Sequence, residues 1–402
     1  MVAVRESLDR AALIQLAAEV KATARALGCD LVGITDAAPF DEARERTLAW
    51  LARGGAAGMA WLTAERVRRA CDPTALLPGA RSFIAVGVGY RPADEPRGAP
   101  PPAAEEGAQV ARYARGRDYH DVLKRKLWAL VRWLEGRLGR SVAARVFVDD
   151  GPCPDRAVAQ RAGLGFFGKN TNLLTRTHGS YVLLGSVLTD VPLPPDPPAV
   201  GDCGSCTRCL DACPTGALPA PYVVDSARCI SYLTIEHRGL IPEALRPLVG
   251  DHLFGCDVCQ EVCPWNRLAA ATREPAFASE AGAGRALDPA AVLAWDEASY
   301  RQRLRGSPLK RAKHQGLRRN AVVVLANRGA VAALQAAARD ADPVVRAQAA
   351  AALGAAEGEG KAEGASCALL APSAGDGRKS SARRQHGRPA RPPGTVYSES
   401  RD

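Results

Sequence analysis

Eight cysteines carry the most explicit chemistry in this sequence. Cys203, Cys206, Cys209 and Cys213 are spaced C-x2-C-x2-C-x3-C with Pro214 directly behind, Cys229 stands alone, and Cys256, Cys259 and Cys263 follow with Pro264 after the last. Thiolates at this spacing ligate [4Fe–4S] cubes, three from one run and the fourth from elsewhere in the chain. That crossover assigns Cys203, Cys206, Cys209 and Cys263 to one cluster and Cys213, Cys229, Cys256 and Cys259 to the other. A disulfide framework belongs to short exported chains. A zinc ribbon explains neither the third cysteine two residues on nor the two prolines. Backbone amides in the turns around Gly204, Thr207 and Asp257 are expected to donate to the cluster sulfurs and tune their potential. Cys29, Cys71, Cys153 and Cys367 are scattered and read as small buried or incidental thiols.

Three further stretches combine residue types that can act on a substrate. Tyr113-Ala114-Arg115-Gly116-Arg117-Asp118-Tyr119-His120 precedes a helix. Asp118 reads equally as its N-cap or as part of an active-site edge, and capping does not account for the two tyrosines. Val148-Asp149-Asp150-Gly151-Pro152 puts carboxylates at the end of a strand, where Asp149 is either a turn residue or a general acid. Ala162-Gly163-Leu164-Gly165-Phe166-Phe167-Gly168-Lys169-Asn170 is neither a Walker loop nor a dinucleotide fingerprint. Its glycines would let backbone approach a flat, bulky ligand. Finally, Arg301, Arg303, Arg305, Lys310, Arg311, Lys313, Arg318 and Arg319 fall in one stretch without a carboxylate among them. So dense a run of one sign favours a phosphate backbone over a merely solvated face.

The elements that must position these residues follow from periodicity. Helices are expected over 8–29, 40–53 and 119–137, and strands over 30–35, 82–90, 142–148 and 181–188, which together argue an α/β domain. The run over 82–90 is apolar throughout, as in a strand covered on both faces. Residues 91–109, rich in proline, alanine and acidic groups, read as a solvated loop. Residues 318–354 read as helices in which Asp342-Pro343 opens the last, with Arg346 facing the next unit as in a HEAT-type repeat. Composition from 355 to 402 predicts disorder.

With 402 residues, 53 Lys and Arg against 43 Asp and Glu, and a net charge of +10, the chain is long enough for two or three domains and is basic overall. No apolar run approaches the roughly 18 residues of a membrane span. Residues 1–10 carry neither an apolar core nor a twin-arginine signal, so a cytoplasmic, monomeric protein is expected.

Taken together, the Tyr113–His120 stretch, Val148-Asp149 with Gly151-Pro152, Ala162-Gly163-Leu164-Gly165 with Gly168-Lys169, and the cysteine set form a recognisable combination. Arg228-Cys229-Ile230-Ser231-Tyr232-Leu233-Thr234-Ile235-Glu236 and Cys263-Pro264-Trp265-Asn266 complete it. The combination, over residues 10–354, resembles the tRNA epoxyqueuosine reductases, a family related to the reductive dehalogenases. The resemblance implies an α/β (α+β) cobalamin-binding domain with a ferredoxin-like insert for two [4Fe–4S] clusters and a C-terminal HEAT-like helical region. The corresponding division is 1–190 for cobalamin and catalysis, 191–275 for the clusters, 276–354 for tRNA, and 355–402 as a tail. It implies that the epoxide oxygen of epoxyqueuosine is removed at the wobble position of a tRNA with a queuosine-type anticodon, giving queuosine. An external donor such as flavodoxin or ferredoxin would supply electrons.

By the same resemblance Asp149 is the proton donor, and Leu173, Leu184, Ser231 and Asp257 contact base-off cobalamin. Tyr113 and Tyr119 would line the entry of the splayed-out base, while Arg318 and Arg319 would grip phosphates. The chain departs from the family at Asp155, where Glu is common, and near 64–66, where a corrin-contacting arginine has no clean counterpart and Arg66 lies nearest. A small-molecule reductive dehalogenase has no use for a basic helical region, and a plain electron carrier would bind no corrinoid.

Overall fold

The computed structural model describes residues 9–95 and 107–367, the side chains of 356–367 excepted. Residues up to Ala355 form one compact unit and Ala356–Asp402 a second. The first half runs α1 (Arg10–Ala26), β1 (Leu31–Asp36), α2 (Asp41–Ala52), α3 (Ala64–Ala70), α4 (Pro73–Leu76), β2 (Ser82–Gly89) and β3 (Ala108–Val110). It continues with α5 (Tyr119–Leu138), β4 (Ala144–Phe147), α6 (Asp155–Arg161), β5 (Phe166–Phe167), β6 (Leu173–Leu174) and β7 (Val182–Thr189).

The main sheet has the order β1-β2-β7-β4 and every pairing in it is antiparallel. Strand β2 is buried along its whole length. Its alternate residues serve two cores: Ile84, Val86 and Val88 meet α1 and α5 on one face, while Phe83 and Ala85 meet α6 and the α2–α4 segment on the other. Burial on both faces was legible as a continuous apolar run, but strand direction was not. The rule that places ligands beyond the carboxyl ends of parallel strands therefore does not apply here. Asp149 reaches its site because the loop after β4 carries it there.

The second half runs α7 (Arg208–Asp211), α8 (Ile230–Ile235), α9 (Arg246–Val249), β8 (His252–Phe254), α10 (Val258–Glu261) and β9 (Ala286–Leu287). It ends with α11 (Pro289–Ala294), α12 (Glu297–Arg303), α13 (Lys313–Asn327), α14 (Val331–Ala337) and α15 (Pro343–Cys367). Strand β3 from the first half pairs with both β8 and β9, so the segments are knitted into one small sheet. Asp342 caps α15 through the amides of Val344 and Val345. Arg346 turns back onto the carbonyls of Asp340 and Ala341 instead of facing a further repeat. The backbone of α15 stays helical to Cys367, beyond the point at which composition predicts disorder. Alanine, glutamate and lysine there are good helix formers. The rest of the expected tail lies outside the described residues.

Helix α13 is apolar on nearly every side and contributes to three cores: Leu317, Ala321 and Val324 to one, Val323 to a second, Val322 and Leu325 to a third. Arg319 in the middle of this helix is only 1% exposed. Its guanidinium donates to the carbonyls of Leu233 (2.6 Å), His237 (2.8 Å) and Gly239 (2.8 Å). Arg318 is half-buried, donates to Leu293 O and pairs with Asp340. The assignment of Arg318 and Arg319 to RNA phosphates is therefore corrected. Both sit in α13 as structural cations, and charge spacing in a sequence does not reveal which arginines point inward. We predict that Arg319→Met, which strands the carbonyls of Leu233, His237 and Gly239, lowers stability by about 3 kcal/mol in denaturant unfolding. An unchanged midpoint would show that the guanidinium does not hold those carbonyls.

Candidate active site

The cysteine loops fold into two groups. Cys263 lies within electrostatic reach of Cys203, Cys206 and Cys209. Cys229 neighbours Cys213, and Cys256 and Cys259 neighbour Cys229. Cys259 also senses Cys209, so the groups adjoin. Burial pushes the Cys209, Cys229, Cys256, Cys259 and Cys263 thiols up, Cys263 to about 11, so ligating iron must displace their protons. Amides do point at these sulfurs, in the turn at Asp257 as expected and elsewhere at other positions than the turns suggest. Ala217 N donates to Cys213 Sγ (3.3 Å). Ser231 and Tyr232 donate to Cys229, Val258 to Cys256, Leu210 to Cys209 and Trp265 to Cys263.

The Gly165–Asn170 segment holds these loops. Strands β5 and β6 pair as a small hairpin. Lys169 Nζ donates to Gly204 O (2.6 Å) in the first cysteine loop, and Asn170 Nδ2 donates to Cys259 O (3.2 Å) in the last. A Cβ on Gly165 would come within 2.4 Å of Leu174 O, so this glycine serves close packing of the hairpin on itself. Phe166, Leu174 and Cys263 form an apolar cluster with Cys203 and Trp265 against it. At Gly179, with φ +55°, an added Cβ would strike Asn266 Oδ1 at 1.9 Å. That atom accepts the Ser180 amide (2.7 Å), locking the chain behind Cys263 to the loop before β7.

A buried charge network joins the second cysteine group to the first half of the chain. Arg112 Nε pairs with Glu95 (2.6 Å), and its Nη1 with Glu261 (2.5 Å) and Asp257 (3.3 Å). Asp257 Oδ2 also accepts the Arg112 amide (2.7 Å), and Arg115 pairs with the other Glu95 oxygen. Burial alone would raise the Glu95 carboxyl, but Arg112 and Arg115 outweigh it and hold its pKa below the ordinary value. The expectation of a solvated loop over 91–109 is thus corrected at its described ends, where Glu95 is buried and 108–110 is β3.

One residue on from Arg112, Tyr113 packs edge-on to Tyr119 (centroids 5.9 Å apart). Tyr119 Oη donates to Asp149 Oδ2 at 2.6 Å. The Tyr119 ring stacks on His120 (4.1 Å), whose Nδ1 meets Asp118 Oδ1 (2.7 Å). Asp118 does cap α5, accepting the His120 amide (3.0 Å), so capping and proximity to a site hold together. Burial works against a charged His120, yet Asp118 prevails and leaves its pKa raised. Burial, then the negative charge of Asp149, pushes the Tyr119 hydroxyl far above its ordinary range, so it stays a donor. Asp149 is exposed and its backbone is left-handed (φ 54°), which costs about 1 kcal/mol. Tyr119 is itself buried, so its part is to hold Asp149 and it offers no open face to a base. Tyr113 keeps partial exposure.

Two family models match: "4Fe-4S double cluster binding domain" over residues 202–266, and "Epoxyqueuosine reductase QueG, DUF1730" over 70–150. The epoxyqueuosine reductase of Xanthomonas campestris is 42% identical over 312 residues, covering 77% of this chain and 86% of that protein. The Escherichia coli K12 enzyme is 40% identical over 322 residues, covering 80% and 83%. The chain belongs to the epoxyqueuosine reductase family. It is an oxidoreductase with a [4Fe–4S] double-cluster domain on a mixed α/β fold. A crystal structure of an epoxyqueuosine reductase with an epoxyqueuosine-modified tRNA-Tyr stem loop superimposes with a TM-score of 0.77 at 34% identity, covering 85% of this chain and 90% of that one. The Streptococcus thermophilus enzyme superimposes with a TM-score of 0.74 at 29% identity, covering 84% and 89%. No helix among the described residues is long and apolar enough to cross a membrane.

Of the positions that the family resemblance assigns to cobalamin, Leu173 and Leu184 share one apolar cluster with Phe147, and Ser231 lies in α8 beside Cys229. The Asp257 carboxylate is engaged with Arg112. Arg66 lies over the Trp61 ring, 5.3 Å from its centroid, and Arg311 reaches the same ring at 5.8 Å. Met59 of that turn, like Cys229 and Cys256, packs against the cluster of Ile230, Leu233 and Ile241, and Tyr232 Oη accepts the Gly58 amide (2.8 Å). The Tyr119–Asp149 contact, unseen in the sequence because thirty residues separate the partners, yields a test. We predict that Tyr119→Phe keeps the ring packing but lowers turnover about 10- to 100-fold with little change in melting temperature. A rate equal to wild type would show that Asp149 needs no such support.

Proposed function

We propose that this protein reduces epoxyqueuosine to queuosine at the wobble position of tRNA, the last step of queuosine biosynthesis. The observation that carries the proposal is the placement of Asp149. Its exposed carboxylate is held by Tyr119, and through Tyr113, Arg112 and Asp257 its loop is tied to the second cysteine group. Two [4Fe–4S] clusters and base-off cobalamin fit the residues present. Each cysteine group is supplied with amide donors, and half-buried Leu184 packs with buried Leu173 and with Phe147, two residues before Asp149. When bound, the clusters bring electrons one at a time to the corrinoid, whose cobalt supplies the reducing power to break C–O bonds.

The remaining steps belong to the chain's own side chains. Asp149 gives a proton to the epoxide oxygen as it leaves carbon. Tyr119 fixes the carboxylate that does so, and the left-handed turn presents it to the substrate. Tyr113 lines the entry of a base drawn out of the anticodon loop, where unstacking is cheap. In our reading 1–190 holds cobalamin and substrate, 191–275 the clusters, and 276–354, HEAT-like, the RNA. The partner is a tRNA with a queuosine-type anticodon, and a flavodoxin- or ferredoxin-type donor reduces a monomeric enzyme. The relative crystallised with a modified stem loop supports the RNA substrate.

The exposed cations near α12 and α13 are better candidates for phosphate binding than Arg318 and Arg319. Arg301 and Arg311 are paired with Glu297 and Glu236. Arg305, Lys310 and Lys313 are exposed and have no ion-pair partner among the described residues.

Two outcomes test this reading. Asp149→Asn should retain iron and corrinoid yet lose about 100- to 10,000-fold in turnover, assayed by mass spectrometry of tRNA nucleosides. Near-normal queuosine formation would remove Asp149 from the reaction. Replacing Arg305, Lys310 and Lys313 together with alanine should weaken stem-loop binding and reduce the salt slope by about 0.7 for each phosphate that these cations neutralise. An unchanged slope would move the RNA to another face.

A further inference from the structure

The reaction proposed above, on which this inference rests, removes both C–O bonds of an epoxide, forms one C=C bond and releases the oxygen as water. That balance takes two electrons from the one-electron donor and two protons. Asp149 carries at most one proton, and as found it accepts a hydrogen bond from Tyr119. A second acid lies behind the same loop. Asp155 opens α6, and although the residue keeps some solvent contact, its Oδ1 is fully enclosed and has no hydrogen-bond partner among the described residues. The Asp155 amide and the Cys153 thiol both donate to the same carboxyl group, and the thiol also lies 3.7 Å from Ser186 Oγ on β7. A buried carboxylate oxygen without a partner is costly when charged and much less so when protonated. Of the charges that face it, Asp149 disfavours ionisation and Arg156 on α6 offsets this in part; Cys71, at the end of α3, faces Cys153.

We propose that Asp155 is the reaction's second proton source, a relay residue that reprotonates Asp149 within the turnover. Asp149 gives its proton to the epoxide oxygen as the first C–O bond breaks and is left as carboxylate. Asp155 passes its proton to Asp149, which then protonates the departing hydroxyl so that water leaves as the C=C bond forms. Asp155 recovers a proton from solvent. Burial first, and the charge of Asp149 second, push the Asp155 carboxyl up to about 8, so it is loaded at neutral pH.

The test uses protein loaded with iron and corrinoid and compares wild type, Asp155→Asn and Asp155→Glu. Single turnover of an epoxyqueuosine-modified stem loop is followed from about pH 5 to about pH 9.5. We expect the wild-type rate to fall above about pH 8, where Asp155 empties. The Asn variant should be about 10- to 100-fold slower and lack that alkaline limb, and Glu should restore both. Thermal unfolding gives a readout independent of activity. Because the folded-state pKa is raised from 3.8 to about 8, wild type has the full benefit of this group below about pH 4 and loses it as pH rises to about 8. The melting temperature of the Asn variant should therefore gain on wild type across that window. Equal rates with the same alkaline limb in wild type and Asn variant overturn the relay, and so does a melting-temperature gap independent of pH. A fully loaded wild type inactive on the epoxide would sink the proposed reaction and the relay with it. The unfolding data would still report whether Asp155 holds a proton, which keeps the two failures apart.

Discussion

The buried guanidinium of Arg112 is the interaction on which the rest of this structure depends. It joins Glu95, at the exit of the main sheet, to Asp257 and Glu261, which flank the last cysteines. Arg112 and Arg115 face three carboxylates in the network, so no single pairing balances the charge. Breaking one member of such a group strands the others in a medium of low polarity, at a cost of about 3–5 kcal/mol. The consequence is geometric. The segment that leads to Tyr113, Tyr119 and Asp149 cannot shift relative to Cys256 and Cys259 without breaking the network. In the proposed reaction, electron delivery and proton delivery are thereby held in one frame.

Two smaller devices complete that frame. The hairpin of β5 and β6 grips a carbonyl in each cysteine run through Lys169 and Asn170. Helix α13, placed where three cores meet, fixes the residues after Cys229 through Arg319 and Asn320. Against this rigid surround, Asp149 is the strained element, an exposed carboxylate on left-handed backbone restrained by one short hydrogen bond. Strain of this kind persists only where neighbours over-determine it, and it concentrates where chemistry is done.

Much of this was legible in the sequence because the signals were local. Cysteine spacing reports cluster chemistry through fixed turn geometry, and the grouping of Cys263 with the first run follows from that pattern. The apolar run of β2 told of two covered faces, and Asp118 told of the start of α5. What escaped depended on long-range partners. Antiparallel and parallel strands buried on both sides read alike, so the direction of the main sheet was hidden. Glu95 sits among prolines and alanines that look solvated, and only the fold brings Arg112 and Arg115 to it. Arg318 and Arg319 continue a basic stretch, but α13 turns them inward onto carbonyls. The amides that serve the cysteines lie one to four residues downstream of each, where short helices begin or end; of the expected turns, the one at Asp257 supplies such a donor, Val258. Asp155 looks like an ordinary helix-start acid until its enclosed oxygen is seen without a partner among the described residues.

The central claim is that two cysteine groups, in one frame with the cluster of Leu173 and Leu184, serve a reducing corrinoid next to Asp149. The most direct measurement is anaerobic reconstitution with iron, sulfide and cobalamin, followed by gel filtration, iron analysis and optical spectra under a one-electron reductant. The account predicts about eight irons per chain, a corrinoid that co-elutes with the protein, and reduction of that corrinoid through the bound clusters. Protein that takes up its full iron but elutes without corrinoid would contradict it.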